Sequence, residues 1–329
     1  MKIMVFDVPA ETGGALSILN QYYTAAIDDT NNQWFFVVSQ PELETKNHIK
    51  VLRFPWVKKS WLHRLIFDQF FARKLVKQYQ VDEVLSLQNI TFPGVKVKQT
   101  LYLHQPLPFA EKRFKLTDNV KFWLYQNVIS KMIFRSIRKA DQVIVQTKWM
   151  IEAAASKAKV NSGKFVLQPP KLMVETKKLF VETSESRKLF FYPAGAYSYK
   201  NHDVIVNACK LLKDSGFLDY AVVFTLDGNE NTHIGKLRTF VANESLPISF
   251  IGSIPQTEVF EHYSKSILLF PSFIETFGLP LLEAKMHEAP IIASDCAFSH
   301  EILDDYPKVS YFSATDPNQL RDRMLDFIG

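Results

Sequence analysis

Residues Ser266–Glu301 have the sequence SILLFPSFIETFGLPLLEAKMHEAPIIASDCAFSHE. The apolar run Ile267–Phe270 predicts a buried strand, and Pro280 stands where the first turn of a helix tolerates proline. Pro290 ends that helix, and the apolar residues from Ile291 onward begin the next strand. These signals predict a strand–loop–helix–strand unit whose loop presents backbone N–H groups at the start of a helix. Such a site favours an anion, most often a phosphate.

Two carboxylates flank that loop, Glu275 on one side and Glu283 eight residues later. A carboxylate beside a phosphate would repel it, so we expect these side chains to accept hydrogen bonds from uncharged hydroxyls instead. A ligand that carries both phosphates and hydroxyls is a nucleotide sugar.

The same residues carry a family resemblance. Glu275-x7-Glu283, with Phe277-Gly278-Leu279-Pro280 between the two glutamates, resembles the signature of the retaining glycosyltransferases of family 4. The likeness is strong from Phe190 to Asp316 and looser before that. It implies an α/β protein with the GT-B fold, in which two doubly wound Rossmann-like domains face a central cleft.

The length of 329 residues exceeds what one hydrophobic core usually supports, so two domains are expected. Gln168-Pro-Pro170 interrupts the pattern of strands and helices, and the polar stretch Lys171–Arg187 follows it as the candidate linker. With the resemblance, this predicts an N-terminal acceptor-binding domain over residues 1–180. A C-terminal nucleotide-sugar-binding domain is predicted over residues 181–329.

Apolar strand-like runs alternate with helix-length segments, which favours parallel sheets covered by helices. Besides the strand from Ile291, strands are predicted at residues 2–6, 34–38, 49–54, 83–86, 100–103, 142–146, 189–192, 221–226, 248–251 and 267–270. Helices are predicted at residues 15–27, 60–79, 119–138, 148–158, 202–213, 232–242 and 256–264, and Asp316-Pro317 predicts the start of one more. On a helical wheel of residues 60–79, Trp61, Leu65 and Val76 share one side, and Phe67 and Phe71 lie nearly opposite.

Charge is divided unevenly along the chain. Residues 1–180 hold 27 Lys and Arg against 14 Asp and Glu, whereas residues 181–329 hold 12 against 20. Basic and aromatic residues are interleaved over residues 54–74 and again over 112–139. Our hypothesis is that these two stretches dock on an anionic inner membrane surface, where a lipid-diphosphate-linked acceptor would lie. Packing in the protein core is the open alternative, and no nucleic-acid-binding module is recognisable.

Several protein classes are excluded by composition. Two cysteines, Cys209 and Cys296, form neither a disulfide framework nor a zinc site. The N-terminus meets a charge, Asp7, after only a few apolar residues, which is typical of a strand and not of a signal peptide. No run of 18 apolar residues occurs. A cytoplasmic location is therefore expected, with a possible peripheral position on the inner face of the membrane.

Two features of the N-terminal half follow predicted strands. Gly13 and Gly14 come after the first strand, where glycine lets the backbone approach a ligand or simply makes a tight turn. The loop lacks G-x-G-x-x-G, which counts against a dinucleotide dehydrogenase. His104 ends a strand and either hydrogen-bonds a sugar hydroxyl or lies satisfied at the edge of the core. The resemblance implies that the glycine loop approaches the donor phosphate and that His104 contacts the transferred sugar.

Lys200 lies between a strand and the start of a helix, where its charge opposes the helix dipole and calls for a compensating anion. The resemblance implies that this anion is the nucleotide diphosphate. Many relatives have a further Arg where this chain has Ala196. The resemblance also implies that the loops at Gly228 and Ile254 line the nucleoside pocket.

The resemblance assigns roles within the first motif. Glu275 reaches the hydroxyls of the donor sugar, Glu283 accepts from the ribose hydroxyls, and the amides of Phe277, Gly278 and Leu279 hold the distal phosphate. His104, Lys200 and Glu275 are the predicted catalytic residues. The sequence has no D-x-D cluster, so neither a metal nor another cofactor is expected. Retention of the anomeric configuration is implied, with the departing phosphate taking the acceptor proton.

The sequence therefore predicts a glycosyltransferase that moves a sugar from a nucleotide diphosphate-sugar to a glycan or lipid-linked acceptor. Capsule, exopolysaccharide or O-antigen assembly is the usual setting of such family members. A nucleotide-sugar epimerase of similar shape is a weaker alternative, because the Phe277–Pro280 loop with both glutamates argues against it. The other alternative is a catalytically silent scaffold, supported by Ala196 and by the short sequence after Asp316.

Overall fold

The computed structural model describes residues 1–11, 13–117, 119–170 and 178–329. The chain divides into two compact units, Met1–Pro169 and Pro170–Gly329. This division falls in the proline pair that interrupts the sequence pattern, and not at residue 180. The first part of the predicted linker, residues 171–177, lies outside the described part of the chain.

The N-terminal unit is built on a seven-stranded parallel sheet in the order β3-β2-β1-β4-β5-β6-β7. Its strands are β1 Lys2–Asp7, β2 Gln33–Val38, β3 Ile49–Arg53, β4 Glu83–Ser86, β5 Lys98–Tyr102, β6 Gln142–Val145 and β7 Phe165–Leu167. Its α-helices are α1 Gly13–Asp28, α2 Trp61–Ile66, α3 Ala72–Tyr79, α4 Val120–Leu124, α5 Ser130–Lys139 and α6 Lys148–Ala158. Short 3₁₀ turns lie at Pro55–Lys58, Leu107–Phe109 and Ser162–Lys164.

The C-terminal unit has a six-stranded parallel sheet in the order β10-β9-β8-β11-β12-β13. Its strands are β8 Leu189–Tyr192, β9 Ala221–Phe224, β10 Ile248–Phe250, β11 Ile267–Phe270, β12 Ile291–Ser294 and β13 Val309–Phe312. Its α-helices are α7 His202–Asp214, α8 Thr232–Asn243, α9 Gln256–Tyr263, α10 Leu279–Met286, α11 Ala297–Leu303 and α12 Pro317–Ile328. Short 3₁₀ turns lie at Ser186–Lys188 and Ser198–Lys200.

Both sheets are buried on their two faces, as helix-covered parallel sheets must be. In β1, Met4 and Phe6 pack in one core cluster and Val5 packs in another, on the opposite side of the sheet. In each unit the strand order reverses between the first and fourth strands, which is the doubly wound arrangement. Ligands of such sheets bind at the carboxyl ends of the strands, beside that reversal.

The two long helices predicted at residues 60–79 and 119–138 are each interrupted by a π turn. These turns cover Phe67–Phe71 and Tyr125–Ile129. Each contains one buried polar side chain, Asp68 and Gln126 respectively. Asp68 accepts hydrogen bonds from Arg64 and Gln88, and Gln126 bonds the backbone of the segment before its helix.

The helical wheel for residues 60–79 was wrong for Val76, which lies beyond the first π turn. Trp61 is 60% exposed while Val76 is 7% exposed, so these residues do not share a side. Phe67 and Phe71 do share a side as predicted, since their rings stack with centroids 6.3 Å apart. A π turn holds more residues than an α turn, so side chains beyond it point in a different direction.

The predicted strands are confirmed, and most of their ends lie within two residues of the predicted positions. Two strands escaped prediction, the short edge strand β7 and the strand β13. The predicted cap of the last helix is confirmed, since the Asp316 carboxylate accepts from the amides of Asn318 and Gln319.

Candidate active site

Lys200 and Glu275 are held together at the strand reversal of the C-terminal unit. Lys200 follows β8 and Glu275 follows the neighbouring strand β11. The Lys200 Nζ donates to the Glu275 Oε1 at 2.6 Å, and both side chains are largely buried. The Lys200 Nζ also lies 5.9 Å from the ring centroid of Phe270. The anion that compensates Lys200 in this structure is therefore the Glu275 carboxylate.

The loop that carries Lys200 is fixed to its neighbours by hydrogen bonds. Asn201 has φ of 61°, a left-handed conformation that asparagine tolerates. Its side-chain amide donates to the carbonyls of Pro271, at 3.1 Å, and Ala314, at 2.7 Å. The Tyr192 hydroxyl donates to the carbonyl of Lys200 at 2.7 Å. These bonds tie the Lys200 loop to the loop that leads to Glu275.

The segment after Glu275 enters helix α10 through Gly278. Gly278 has φ of 88°, which favours glycine, and Pro280 lies in the first helical turn as predicted. Within the described part of the chain, the amides of Phe277, Gly278 and Leu279 donate no hydrogen bond to another residue. Three backbone donors at the positive end of the helix thus have no partner in the described part of the chain, which suits a phosphate.

Glu283 is buried within α10, with only 8% of its surface exposed. Its Oε2 accepts from the Tyr263 hydroxyl at 3.0 Å, and its Oε1 accepts from the Gln256 Nε2 at 3.3 Å. Burial raises the pKa of Glu283, and the hydrogen bonds from Tyr263 and Gln256 act against that rise. Neither partner was predicted, because a partner 20 or 27 residues away leaves no local pattern in the sequence.

A cavity of about 360 Å³ opens at the carboxyl ends of β8, β9 and β10. Its lining residues are Pro193, Ala194, Gly195, Ala196, Thr225, Leu226, Asp227, Glu230, Ser253, Ile254 and Val259. It therefore brings together the loops at Ala196, Asp227 and Ile254, each of which follows a strand. Among these lining residues the only charged ones are Asp227 and Glu230, both acidic. No cation of the described lining takes the place of the Arg that relatives carry at Ala196.

Backbone conformation and close packing explain why residue 228 is a glycine. Its φ is 86°, and a Cβ there would lie 2.2 Å from the Arg238 Cδ. Its amide donates to the Glu230 Oε2 at 3.0 Å, and the amide of Asp227 donates to the other carboxylate oxygen. In this structure Gly228 supplies the turn next to the cavity. Its amide donates to the Glu230 carboxylate.

A second cavity of about 360 Å³ lies at the opposite edge of the same sheet. Its lining includes Ile267 and Val309, the first residues of β11 and β13, together with Arg187 and Lys308. It contains none of the predicted site residues. The carboxyl edge is therefore the better candidate for the active site.

In the N-terminal unit, α1 begins at Gly13, two residues before the predicted start at Ala15. Gly13 has φ of 64°, and a Cβ added at Gly13 or at Gly14 would meet no other atom within 4 Å. The backbone of this turn is thus open on the side where a side chain would stand. The space permits a close approach by a ligand.

His104 lies just beyond β5, as predicted. Its amide donates to the Asn89 Oδ1 at 2.8 Å, and its ring stacks edge-on against Tyr102 at 5.9 Å. Burial lowers the pKa of His104 to about 4, so the imidazole is neutral near pH 7. A neutral imidazole can donate one hydrogen bond to a hydroxyl and accept another.

Asp7, the last residue of β1, received no role from the sequence. Its side chain is fully buried, and within the described residues neither carboxylate oxygen has a hydrogen-bond partner of good geometry. Burial raises the pKa of Asp7 to about 8, although Arg64, the Ala10 backbone and Lys58 act in the opposite direction. An aspartic acid at a strand end gives no sequence signal for such burial.

Among the described residues, no group of three or more His, Cys, Asp or Glu side chains is placed to hold a metal ion. The expectation of a metal-independent reaction stays a prediction.

Comparison with known proteins agrees with this geometry. The family described as Glycosyl transferases group 1 matches residues 174–328. The O-antigen chain mannosyltransferase RfbU of Salmonella typhimurium is 23% identical over 248 residues, which are 72% of this chain and 63% of that protein. The matched segment thus spans less than two thirds of the length of that curated relative.

Solved structures share the fold over nearly the whole chain. WaaG, a glycosyltransferase involved in lipopolysaccharide biosynthesis, superposes with a TM-score of 0.71 at 14% identity, covering 100% of this chain and 90% of its own. Sucrose-phosphate synthase from Thermosynechococcus elongatus has a TM-score of 0.68 at 17% identity, covering 99% and 90%. Anabaena HepE in complex with UDP and glucose has a TM-score of 0.68 at 14% identity, covering 98% and 89%. The predicted GT-B fold is confirmed.

Proposed function

We propose that the chain transfers a sugar from a nucleotide diphosphate-sugar to a glycan or lipid-linked acceptor, and the match of residues 174–328 to the family described as Glycosyl transferases group 1 supports this proposal. Bacterial surface-polysaccharide assembly is the proposed setting, supported by the likeness to the O-antigen mannosyltransferase. The observation that carries the proposal is the Lys200–Glu275 pair at the strand reversal, next to the three unengaged amides of residues 277–279.

The donor diphosphate is assigned to Lys200 and those amides. An ammonium group has three N–H donors, and Glu275 takes one of them, so two remain for phosphate oxygens. Since Glu275 fixes the ammonium before the substrate arrives, little side-chain ordering is left for the reaction itself. The positive end of α10 and Lys200 together stabilise the negative charge that develops on the leaving diphosphate.

The carboxylates take the hydroxyl groups of the donor. Glu275 has its second oxygen available for the hydroxyls of the transferred sugar, and Glu283 faces those of the ribose. Ile254 and the cavity beside it receive the base. In the N-terminal unit, the open turn at Gly13 and Gly14 is assigned to the donor phosphate side, and the neutral His104 to a sugar hydroxyl.

The proposed reaction is metal-independent and retains the anomeric configuration. Its test is to incubate the protein with UDP-, GDP-, dTDP- and ADP-sugars, with EDTA present, and to measure the release of nucleoside diphosphate. NMR of the transferred sugar then gives the anomer. An inverted product would refute retention, and a strict need for a divalent metal would refute metal independence. Tight binding of a donor without turnover would favour the silent scaffold, which the acidic cavity at Ala196 also favours.

The proposed location is the cytoplasm, with peripheral docking on the anionic inner face of the membrane. Large apolar side chains are exposed on the two helical segments of the N-terminal unit. Trp61, Leu62 and Phe70 are 60%, 61% and 70% exposed, and Val120 on the other segment is 56% exposed. Basic residues accompany them over residues 54–74 and 112–139. Apolar and cationic groups side by side suit an anionic lipid surface.

The two segments are close neighbours. Arg64 of the first influences Tyr125 of the second electrostatically. Residues of both, among them Gln69 and Arg135, line one groove. None of the described helices is both long and apolar enough to cross a membrane. Docking would therefore depend on this exposed surface.

Flotation with vesicles tests the docking. The protein should float with vesicles of phosphatidylcholine and phosphatidylglycerol but not with phosphatidylcholine alone, and high salt should weaken the binding. The double variant Trp61→Ser, Phe70→Ser should remain in the soluble fraction. The matched control Phe217→Ser, at an exposed site of the C-terminal unit, should float like the unmodified protein. Equal flotation of both variants would refute the docking surface.

A further inference from the structure

The Glu283 carboxylate is fixed from two sides. The Tyr263 hydroxyl, in a fully buried side chain, donates to its Oε2 at 3.0 Å, and the Gln256 side chain donates to its Oε1 at 3.3 Å. A carboxylate can accept about four hydrogen bonds, two on each oxygen. One position on each oxygen is taken, so one position on each oxygen remains for a ligand.

The two partners are themselves held firmly. The Tyr263 ring lies 5.9 Å from Phe191 in an edge-to-face contact and 5.6 Å from His287. The His287 ring nitrogen is bonded in turn to the backbone carbonyl of Glu283 at 2.7 Å. The Tyr263 hydroxyl therefore cannot follow Glu283 if that side chain turns, and it fixes one conformation.

Gln256 connects Glu283 to the nucleoside cavity. It is the first residue of α9, directly after the loop whose residues Ser253 and Ile254 line that cavity. Gln256 and Glu283 do not line that cavity themselves, but the Gln256 side chain holds the Glu283 carboxylate beside the loop that does. Two acceptors on neighbouring oxygens match two hydroxyls on neighbouring carbons.

We infer that Tyr263 and Gln256 are positioning residues, which hold Glu283 for the two adjacent hydroxyls of a ribose and so select ribonucleotide over 2′-deoxyribonucleotide donors. This inference rests on the proposed function only in taking the ligand to be a nucleotide sugar. A 2′-deoxyribose offers Glu283 one hydroxyl where the site has two acceptor positions. A buried, charged acceptor is then left without a donor, which weakens binding on the order of 10- to 100-fold.

The test measures binding and does not require transfer. Calorimetry with UDP, GDP and ADP and with dUDP, dGDP and dADP gives a ribo-to-deoxy affinity ratio for whichever base binds. We expect a ratio of about 10 or more in the unmodified protein. Tyr263→Phe should lower the affinity for the ribonucleotide and leave that for the deoxynucleotide nearly unchanged, so that the ratio falls towards one.

Two further variants keep the test decisive. Tyr306→Phe removes another buried tyrosine hydroxyl of the same unit, bonded to the Ala289 carbonyl at 2.7 Å, and should keep the full ratio. Gln256→Met removes the second donor at an exposed position and should lower the ratio even if Tyr263→Phe fails to fold.

A ratio near one in the unmodified protein would overturn the inference. So would a Tyr263→Phe or Gln256→Met variant that weakens both nucleotides equally, or binding of none of the six. The proposed function can fail separately. A protein that selects ribonucleotides through Tyr263 but transfers no sugar would keep this inference and lose the activity.

Discussion

The Lys200 ammonium and the Glu275 carboxylate join the loops after two adjacent strands, with 2.6 Å between Nζ and Oε1. A partly buried pair of this kind gives each group a fixed position, but removing one partner leaves the other charge uncompensated. The two residues should therefore affect the donor in different ways, because Lys200 is proposed to bind phosphate and Glu275 is proposed to bind the sugar.

Lys200→Ala should weaken the binding of a nucleoside diphosphate and of its sugar conjugate alike, by about tenfold or more, since a charge-assisted hydrogen bond to phosphate is lost. Glu275→Gln should weaken the sugar conjugate more than the free diphosphate. Calorimetry with both ligands measures the difference. Lys210→Ala, which removes a lysine paired with Asp214 on the surface of the same unit, is the control and should change neither affinity. Unchanged diphosphate binding in Lys200→Ala would show that the phosphate binds elsewhere.

Gly278→Ala should lower both stability and donor affinity. An alanine at φ of 88° is strained by about 1–2 kcal/mol, and its Cβ would lie 3.3 Å from the Leu281 Cδ1, which would shift the amides at the start of α10. Gly216→Ala is the matched control, because Gly216 has φ of 86° and open space around the added carbon. Thermal unfolding should show a similar loss in both variants. Donor binding should fall only in Gly278→Ala, and an equal fall in both would argue against the amide site.

Asn201→Asp should destabilise the C-terminal unit by about 2–4 kcal/mol and reduce donor binding. Aspartate fits the left-handed backbone at φ of 61°, but it replaces the Nδ2 group, which donates to the carbonyls of Pro271 and Ala314, by a carboxylate oxygen that faces both of them. Asn201→Gly keeps the conformation and removes only the bonds, so it should cost less. Urea unfolding of both variants measures the difference, and equal stability of the two would show that repulsion at the carbonyls is unimportant.

Asp7 should make stability depend on pH. Its folded-state pKa, about 8, is above the ordinary value of 3.8, so the fold favours the neutral acid. Its contribution is fully present below about pH 4 and is lost as the pH rises through 8. Asp7→Asn should therefore raise the urea midpoint at pH 8 relative to the unmodified protein and flatten the decline between pH 5 and 8.

The control for that measurement is Asp214→Asn at an exposed position, which should keep the pH dependence of the unmodified protein. A decline that persists in Asp7→Asn would assign it to another group.

The fold could be predicted because its signals are local. A buried parallel strand such as Ile267–Phe270 is a continuous apolar run, and Pro280, Pro290 and Asp316 mark helix ends by their own chemistry. The ion pair between Lys200 and Glu275 was not predicted, since the anion that compensates Lys200 was expected to be a nucleotide diphosphate. The two missed strands, β7 and β13, are short and only partly buried, so their apolar pattern is weak.

The features that were not predicted depend on contacts between residues far apart in the sequence, which produce no local pattern. Tyr263 bonds Glu283 across two helices, and as sequence it looks like any aromatic residue on the buried side of α9. The burial of Asp7 results from the packing of its surroundings and not from its neighbours in sequence. The π turn at Phe67–Phe71 changes the direction of the side chains beyond it, so a wheel of constant period could not place Val76.

Those two π turns, at Phe67–Phe71 and Tyr125–Ile129, also bear on evolution. Each bond in such a turn spans five residues where a regular helix spans four, so a gain or loss of one amino acid there is absorbed within a single turn. Homologues with uninterrupted helices should therefore align with this chain only when a one-residue gap is allowed in mid-helix. Lineages that gained or lost the extra residue would present their surface side chains at altered angles while keeping the same interior.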